Sequence, residues 1–235
     1  MFNDLQVNLV SGELDLSKPA RVQISMFNPY CTGKYLFALS SWVRSQGFES
    51  IEYQVSDTLQ RHNFIWRDRL DYEKSIARSI QVGEQWIVQN SSVIQLCFQA
   101  FDKVSVSRWD FWINHKDFEE KNKFFHNLYT KDEGFRKVID AEIENYFEKA
   151  GRTLLPDRKK LSKNFLIEEI AVSEISAEYF PANEIYPGPR FEPEQFLVKS
   201  DISGIAIKDM NFIHVSFSIR SSTKNDTQHV APAYT

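Results

Sequence analysis

The chain has 235 residues and a formal net charge of −4. That balance argues against a protein that coats nucleic acid non-specifically and leaves a local basic patch open. The two cysteines, Cys31 and Cys97, show no CxxC spacing, so neither a disulfide framework nor a paired-thiol site is expected. The length suits one domain over 1–235, with a core at about 20–220 and a full hydrophobic interior. The start of the chain, Met1–Leu5, is neither basic nor followed by a long apolar run. No stretch approaches the roughly 18 apolar residues of a membrane span. A soluble, cytoplasmic protein is the expectation.

In chain order, 1–19 reads as a polar lead-in ending at Pro19. A strand is predicted at 20–27, broken by the turn signal Asn28-Pro29. Tyr35, Leu36, Leu39 and Val43 recur at helical spacing, so a helix follows over 34–46 and stops at Gly47. The stretch 50–57 alternates as a second strand, which completes a βαβ unit. A polar segment, 58–64, then leads to a helix over 67–81. Periodicity leaves 93–101 open between helix and strand. A third short parallel strand is predicted at 104–107. Helices follow at about 110–128, 133–149 and 158–175, the last capped by Asp157. A proline-punctuated loop is expected over 181–193 and a late strand pair over 204–219. The Ser/Thr/Asn-rich tail, 221–235, is expected to fray. The order implies an α/β fold with a mostly parallel, Rossmann-like sheet flanked by helices.

Such sheets bind ligands at the carboxyl ends of their strands, which draws attention to Ser25. It is either a nucleophile or a small residue in a strand. The five histidines lack HxxxH and HExxH spacing and have no cysteine nearby, so no catalytic metal is expected. No Walker loop, GxGxxG or GxSxG motif follows the early strands. On one helix over 67–81, Arg67, Lys74 and Arg78 would share a face along about 16 Å. Asp71 and Glu73 lie beside them, so the residues alone favour a solvated face over a phosphate-binding one. Arg158, Lys159, Lys160 and Lys163 open a later helix, where cations oppose the helix dipole. On that helix Glu169 falls on the face of Leu161 and Phe165, as a salt-bridge partner or as a receptor for a cationic amine. Glu168 lies about 100° round and can stay wet.

Ile24-Ser25, Asn28-Pro29-Tyr30, the run from Val55 to Asn63, the run from Phe165 to Val172, and Tyr186-Pro187 occur in order. Together they resemble the cyclodipeptide synthases, in the branch with a Tyr-Pro pair, over about 20–195. That family makes cyclic dipeptides from two aminoacyl-tRNAs. Its Rossmann-like fold is similar to class I tyrosyl- and tryptophanyl-tRNA synthetase catalytic domains, without an ATP site. The resemblance implies Ser25 as nucleophile, Glu169 as holder of the substrate amino group, and Tyr186 as an orienting tyrosine. Asn28, Phe165 and Pro187 are implied as substrate contacts. The sequence departs from the pattern at Gln23, where the family has glycine, and at Pro19, where it has histidine. It departs again at Phe165 for tyrosine and Ala171 for proline.

The resemblance also implies a ping-pong reaction without cofactor or metal. Ser25 takes the aminoacyl group from tRNA, and the amine of a second aminoacyl-tRNA attacks the acyl-serine. The dipeptidyl ester then closes through its free amine. Arg67, Lys74 and Arg78 thereby become candidates for tRNA contact. The expected partners are aminoacyl-tRNAs and the expected state is a monomer. Two alternatives stay open: an aminoacyl-tRNA-binding or hydrolysing protein of this fold without condensation, and a non-enzymatic interaction protein.

Overall fold

A computed structural model of the protein describes residues 5–219 and the backbone of 228–230. The chain enters through β1 (Leu5–Ser11), so the predicted lead-in holds a strand. Its period-2 signal is faint because it is an edge strand on which only Val7 is buried. Next come β2 (Ala20–Ile24), α1 (Gly33–Ser45) and β3 (Ser50–Val55), close to the predicted βαβ unit. Gly47, at φ +95°, gives α1 its left-handed stop.

The helix predicted over 67–81 is two helices, α2 (Arg61–Arg67) and α3 (Tyr72–Gln89). Arg69, at φ +55°, turns the chain between them, and Asp71 restarts it by accepting the Lys74 N–H at 2.8 Å. The open segment 93–101 lies mostly in a helix, α4 (Ser91–Ala100). After β4 (Lys103–Arg108), the single helix expected over 110–128 is divided into α5 (Trp109–Ile113) and α6 (Phe118–Lys131). The helix α7 (Glu133–Lys149) matches its predicted span.

The long helix α8 (Pro156–Tyr179) starts earlier and ends later than expected. Leu155 occupies its N-cap position, and Asp157 lies inside the first turn rather than capping it. Ile167, Glu168, Ile170, Ala171, Val172 and Glu174 are all buried, so α8 is covered on several sides. Glu174 accepts the backbone N–H groups of Ala206 and Ile207 at 2.9 and 3.0 Å, fastening a short 3-10 turn (Ala206–Asp209) to it.

The predicted loop 181–193 contains β5 (Asn183–Tyr186), and α9 (Glu192–Lys199) begins before it ends. Four residues are too few to show a period, and the strand exists because β2 and β6 (Asn211–Ile219) flank it. The expected late strand pair is the 3-10 turn followed by β6 alone. Most of the tail expected to fray lies outside the described residues; within it, β7 (Gln228–Val230) pairs antiparallel with β6.

The strand order is β1-β6-β5-β2-β3-β4, with β7 beside β6. Pairing is parallel from β6 to β4 and antiparallel for β1 and β7. From β2 the chain builds outward through β3 and β4, then returns to the other side of β2 as β5. The order therefore reverses between β2 and β5, which opens a crevice at their carboxyl ends.

Beside the sheet, α3 and the loop after β3 approach each other closely. Gly83 sits inside α3, where a Cβ would lie 2.7 Å from the Cβ of Asp57. The fully buried Asp57 accepts from the Thr58 N–H at 2.8 Å, the Trp109 N–H at 3.1 Å and Arg108 Nε at 2.6 Å. Among the described residues no helix is long and apolar enough to cross a membrane.

Candidate active site

Ser25 follows β2 directly, and Tyr186 is the last residue of β5, so the two stand on either side of the crevice. The carbonyl before Ser25, that of Ile24, accepts both the N–H and the Oγ–H of Ser56, at 3.1 and 2.8 Å. This double anchor fixes where the strand releases into the loop. Asn28 then starts a 3-10 turn (Pro29–Cys31): its Oδ1 accepts from the Tyr30 N–H at 3.0 Å. Its Nδ2 donates to the Tyr186 hydroxyl at 3.1 Å. Burial pushes the Tyr186 phenol up, while hydrogen bonds from Asn28 and Ser25 pull against it. Tyr186 is thus neutral at physiological pH, with Asn28 holding its hydroxyl.

The adjacent carboxylates of α8 behave in opposite ways. Glu168 was expected to stay wet, yet it is 4% exposed. Arg61 grips both its oxygens, with Nη1 at 2.7 Å from Oε1 and Nη2 on Oε2. Trp109 Nε1 donates at 2.9 Å, and His62 Nε2 lies 3.1 Å away. Burial raises the Glu168 pKa, but hydrogen bonds and charge from His62 and Arg61 outweigh it and hold the carboxyl below its ordinary value. Glu168 pins α8 to α2 and to the start of α5.

Glu169 is half-buried and lines the crevice. Among the described residues no hydrogen bond or ion pair holds it. Burial pushes its carboxyl up to about 8, with the charges of Glu194, Glu142 and Glu168 adding to the effect. A carboxylate so placed lacks a counter-charge, and a cationic guest would supply one.

These groups share a cavity of about 510 Å³. Its wall includes Gln23, Ser25, Gln54, Ser56, Phe165, Val172 and Tyr186 toward the sheet, and Glu142, Glu192, Glu194 and Arg190 from α7 and the α9 region. Burial raises the carboxyl of Glu194, opposed by Arg190 and a Ser173 hydrogen bond; burial also raises that of Glu142. Among the described residues no cluster of three or more His, Cys, Asp or Glu is arranged to hold a metal ion.

Ser25 after β2, Phe165 and Glu169 of α8, and Tyr186 of β5 all meet on this wall. Asn28 is not on the wall and acts through Tyr186. Pro187 is buried and does not line the cavity; Pro189 and Arg190 do. Glu142 and Glu194 were missed. The helix of Glu142 was predicted and that of Glu194 was not, and which face of each turns to the crevice is set by how α7 and α9 pack together.

The basic stripe is not one helix face. Arg67 ends α2, pairs with Asp68 at 2.9 Å and lies over the rings of Phe27 and Phe64. Lys74 is paired with Asp71 at 2.7 Å. Arg78 donates to Gln81 at 2.7 Å. Asp68 is held low chiefly by its Arg67 hydrogen bond, with the charges of Arg78 and Arg152 contributing. Arg152 and Arg158 both lie over Trp66, at 5.4 and 5.8 Å. Folding thus gathers Arg67, Arg78, Arg152 and Arg158 around Asp68 and Trp66, joining parts of both basic clusters.

No family model and no curated protein sequence matches the chain. Solved structures do. A CDPS from Fluoribacter dumoffii superposes with a TM-score of 0.79 at 17% identity, covering 92% of this chain and 99% of that one. A cyclodipeptide synthase from Candidatus Glomeribacter gigasporarum, bound to Phe-tRNAPhe, gives 0.71 at 17% identity over 92% and 94%. A Mycobacterium tuberculosis protein, described as relating cyclodipeptide synthetases to type I tRNA synthetases, gives 0.66 at 13% identity over 85% and 86%. The chain has the fold of these proteins, an α/β fold around a mostly parallel sheet.

Proposed function

We propose that the chain is a tRNA-dependent cyclodipeptide synthase that works through an aminoacyl ester on Ser25. The observation that carries this reading is the meeting of Ser25, Tyr186 and the unpaired Glu169 in one cavity at the switch point of the sheet. The likeness to synthase structures, one of them holding a charged tRNA, supports it.

The α-ammonium of the aminoacyl group docks on Glu169, which gives up its proton to pair with it. Ser25 Oγ then attacks the ester carbonyl. A bond forms from Oγ to the carbonyl carbon, the bond to the ribose oxygen breaks, and the serine proton reaches that oxygen through the neighbouring ribose hydroxyl. One ester replaces another, so the activation carried by the charged tRNA is conserved and ATP is not required. A second aminoacyl-tRNA enters. Attack by the serine-bound amine on the incoming ester, or by the incoming amine on the serine ester, leaves one dipeptidyl ester with a free amine. That amine attacks the remaining ester, closes the six-membered ring and releases the last alcohol.

Glu169 contributes by position and charge. Phe165, one turn before it, offers hydrocarbon in place of a hydroxyl; Glu142 and Glu194 supply further negative charge around the ammonium. Asn28 is a positioning residue for Tyr186. The arginines around Trp66 and Asp68 receive the tRNA backbone as phosphate contacts, which position the acceptor end without reading it. Tyr186-Pro187 is the mark of the Tyr-Pro branch, with Pro187 supporting the Tyr186 loop from within.

The test is expression in a bacterium, with diketopiperazines sought in the medium by mass spectrometry for the wild type and Ser25→Ala. Ring product from the wild type and its loss in the variant, by about 100-fold or more, is the expected result. Product undiminished in Ser25→Ala removes the covalent step. Loading of Ser25 that ends only in free amino acid makes the chain an aminoacyl-tRNA hydrolase of the same fold.

A further inference from the structure

Parallel strands covered by helices on both faces are ordinarily apolar on both. The centre of this sheet is not. On β2, Val22 and Ile24 face the core shared with α1 and α4, whereas Arg21 and Gln23 face the other way, in step with Ser25. On β3, Glu52 and Gln54 repeat the pattern in register with Arg21 and Gln23. On β5, Glu184 sits beside Arg21.

Most of this polar face is internally satisfied. Arg21 Nε donates to Glu52 at 2.9 Å, and its Nη1 donates to Glu184 at 2.7 Å. Ser176 of α8 donates to Glu184 at 2.6 Å, and Ser107 donates to Glu52 at 2.5 Å. At the cavity the satisfaction stops. Gln23 commits its Nε2 to Glu184 at 3.3 Å, which leaves its carbonyl oxygen available. The side-chain amide of Gln54, a residue 6% exposed and on the cavity wall, makes no hydrogen bond among the described residues. Ser56 has used its proton on the Ile24 carbonyl, so its oxygen can only accept. The Gln54 amide is not sealed among the buried unpartnered atoms and opens into the cavity, so its donor and acceptor are both free for a guest.

With Ser25 as the acyl carrier, the reading on which this proposal rests, the same corner is where the side chain of the bound amino acid lies. We propose that it selects an amino acid with a polar side chain that donates hydrogen bonds, neutral or cationic, and that Gln23 and Gln54 determine the choice. A hydrocarbon side chain would leave the Gln23 carbonyl oxygen and the Gln54 amide without a partner from the guest, and sites built to hydrogen-bond a substrate reject the analogue that cannot. A carboxylate side chain would meet a floor where Arg21 is outnumbered by Glu52 and Glu184. Val172 and Phe165 supply the apolar walls against which the stem of such a side chain packs.

The experiment uses the full chain and a single tRNA body charged in turn with glutamine, histidine, lysine, leucine, phenylalanine and glutamate. The rate of Ser25 acylation is read by intact-protein mass. Fixing the tRNA removes its own recognition from the comparison. Glutamine, histidine or lysine should load at least about 100-fold faster than leucine and phenylalanine. Glutamate should load no faster than leucine. In the double variant Gln23→Leu, Gln54→Leu the order should reverse toward leucine. Leucine or phenylalanine loading as fast as the best polar amino acid in the wild type overturns the pocket assignment and leaves the synthase reading standing. Fast glutamate loading likewise overturns the charge argument. No adduct from any of the six removes the acyl-serine reading, and the pocket inference with it.

Discussion

The two faces of the central sheet are built from alternate residues of the same strands and solve different problems. One face contributes Val22, Ile24, Ile51, Tyr53, Val55 and Ile185, all at most 1% exposed, to a core shared with α1 and α4. Each such side chain is worth about 1.5–3 kcal/mol on burial and asks only for shape. The opposite face buries Arg21, Gln54 and Glu184 and half-buries Glu52, where pairing must repay desolvation and little net stability is expected. A chain that needed only stability would have filled both faces with hydrocarbon. The polar face is retained where the crevice opens, and the cavity inherits its character.

The strongest way to break this comparison is to remove one side chain from each face. Glu184→Ala leaves Arg21 paired with Glu52 but removes the acceptor of Arg21, Ser176 and Gln23 hydrogen bonds, and should cost about 1–3 kcal/mol in urea unfolding. Ile51→Ala should cost about 2–5 kcal/mol through its cavity, yet leave the acylation rate of the folded fraction within a few-fold of wild type. If Glu184→Ala proves neutral, the polar face is not a tensioned network.

A smaller effect separates Glu169 from its neighbour. Its folded carboxyl lies at about 8 against an ordinary 4.5. The folded chain therefore holds that proton more tightly than the unfolded chain, and stability falls as pH rises between those values. Glu169→Gln should match wild type near pH 4 and exceed it by about 1–3 kcal/mol at pH 8.5, cavity water reducing the full linkage value. The same variant should lose Ser25 loading. A gain that shrinks with rising pH would contradict the unpaired state of Glu169. The smallest effect on folding is expected from Arg78→Glu with Arg152→Glu. Their melting temperature should stay within about 2 °C of wild type, while tRNA binding weakens and its salt dependence becomes shallower. An unchanged salt slope would move the tRNA contact elsewhere.

Much of this arrangement was written locally. The alternation from Ala20 to Ile24 and from Ser50 to Val55, with the helical spacing between, predicted the βαβ unit that presents Ser25. Motif order brought Glu169 and Tyr186 to the same site, and the cavity wall contains both. What stayed hidden depended on partners distant in sequence. β5 is a strand because two neighbours flank it, not because Asn-Glu-Ile-Tyr has a period. The helix over 67–81 masked a break because Arg69 carries no glycine-like signal, although Asp71 offered a capping residue at the true start of α3. The wet expectation for Glu168 failed, since Arg61, His62 and Trp109 engage it only after two other elements, α2 and α5, pack against α8.

The contact between Gly83 and Asp57 carries this dependence outward. Asp57 holds the Trp109 N–H, and the Trp109 indole holds Glu168, so the α3 backbone is three contacts from the residue that orients α8. A single methyl group added at position 83, remote from any substrate, would displace that carboxylate and loosen the chain of contacts behind it. Natural variants should record the constraint as covariation. Among divergent relatives, a side chain at the equivalent of 83 is expected only where the aspartate at 57 has also been given up.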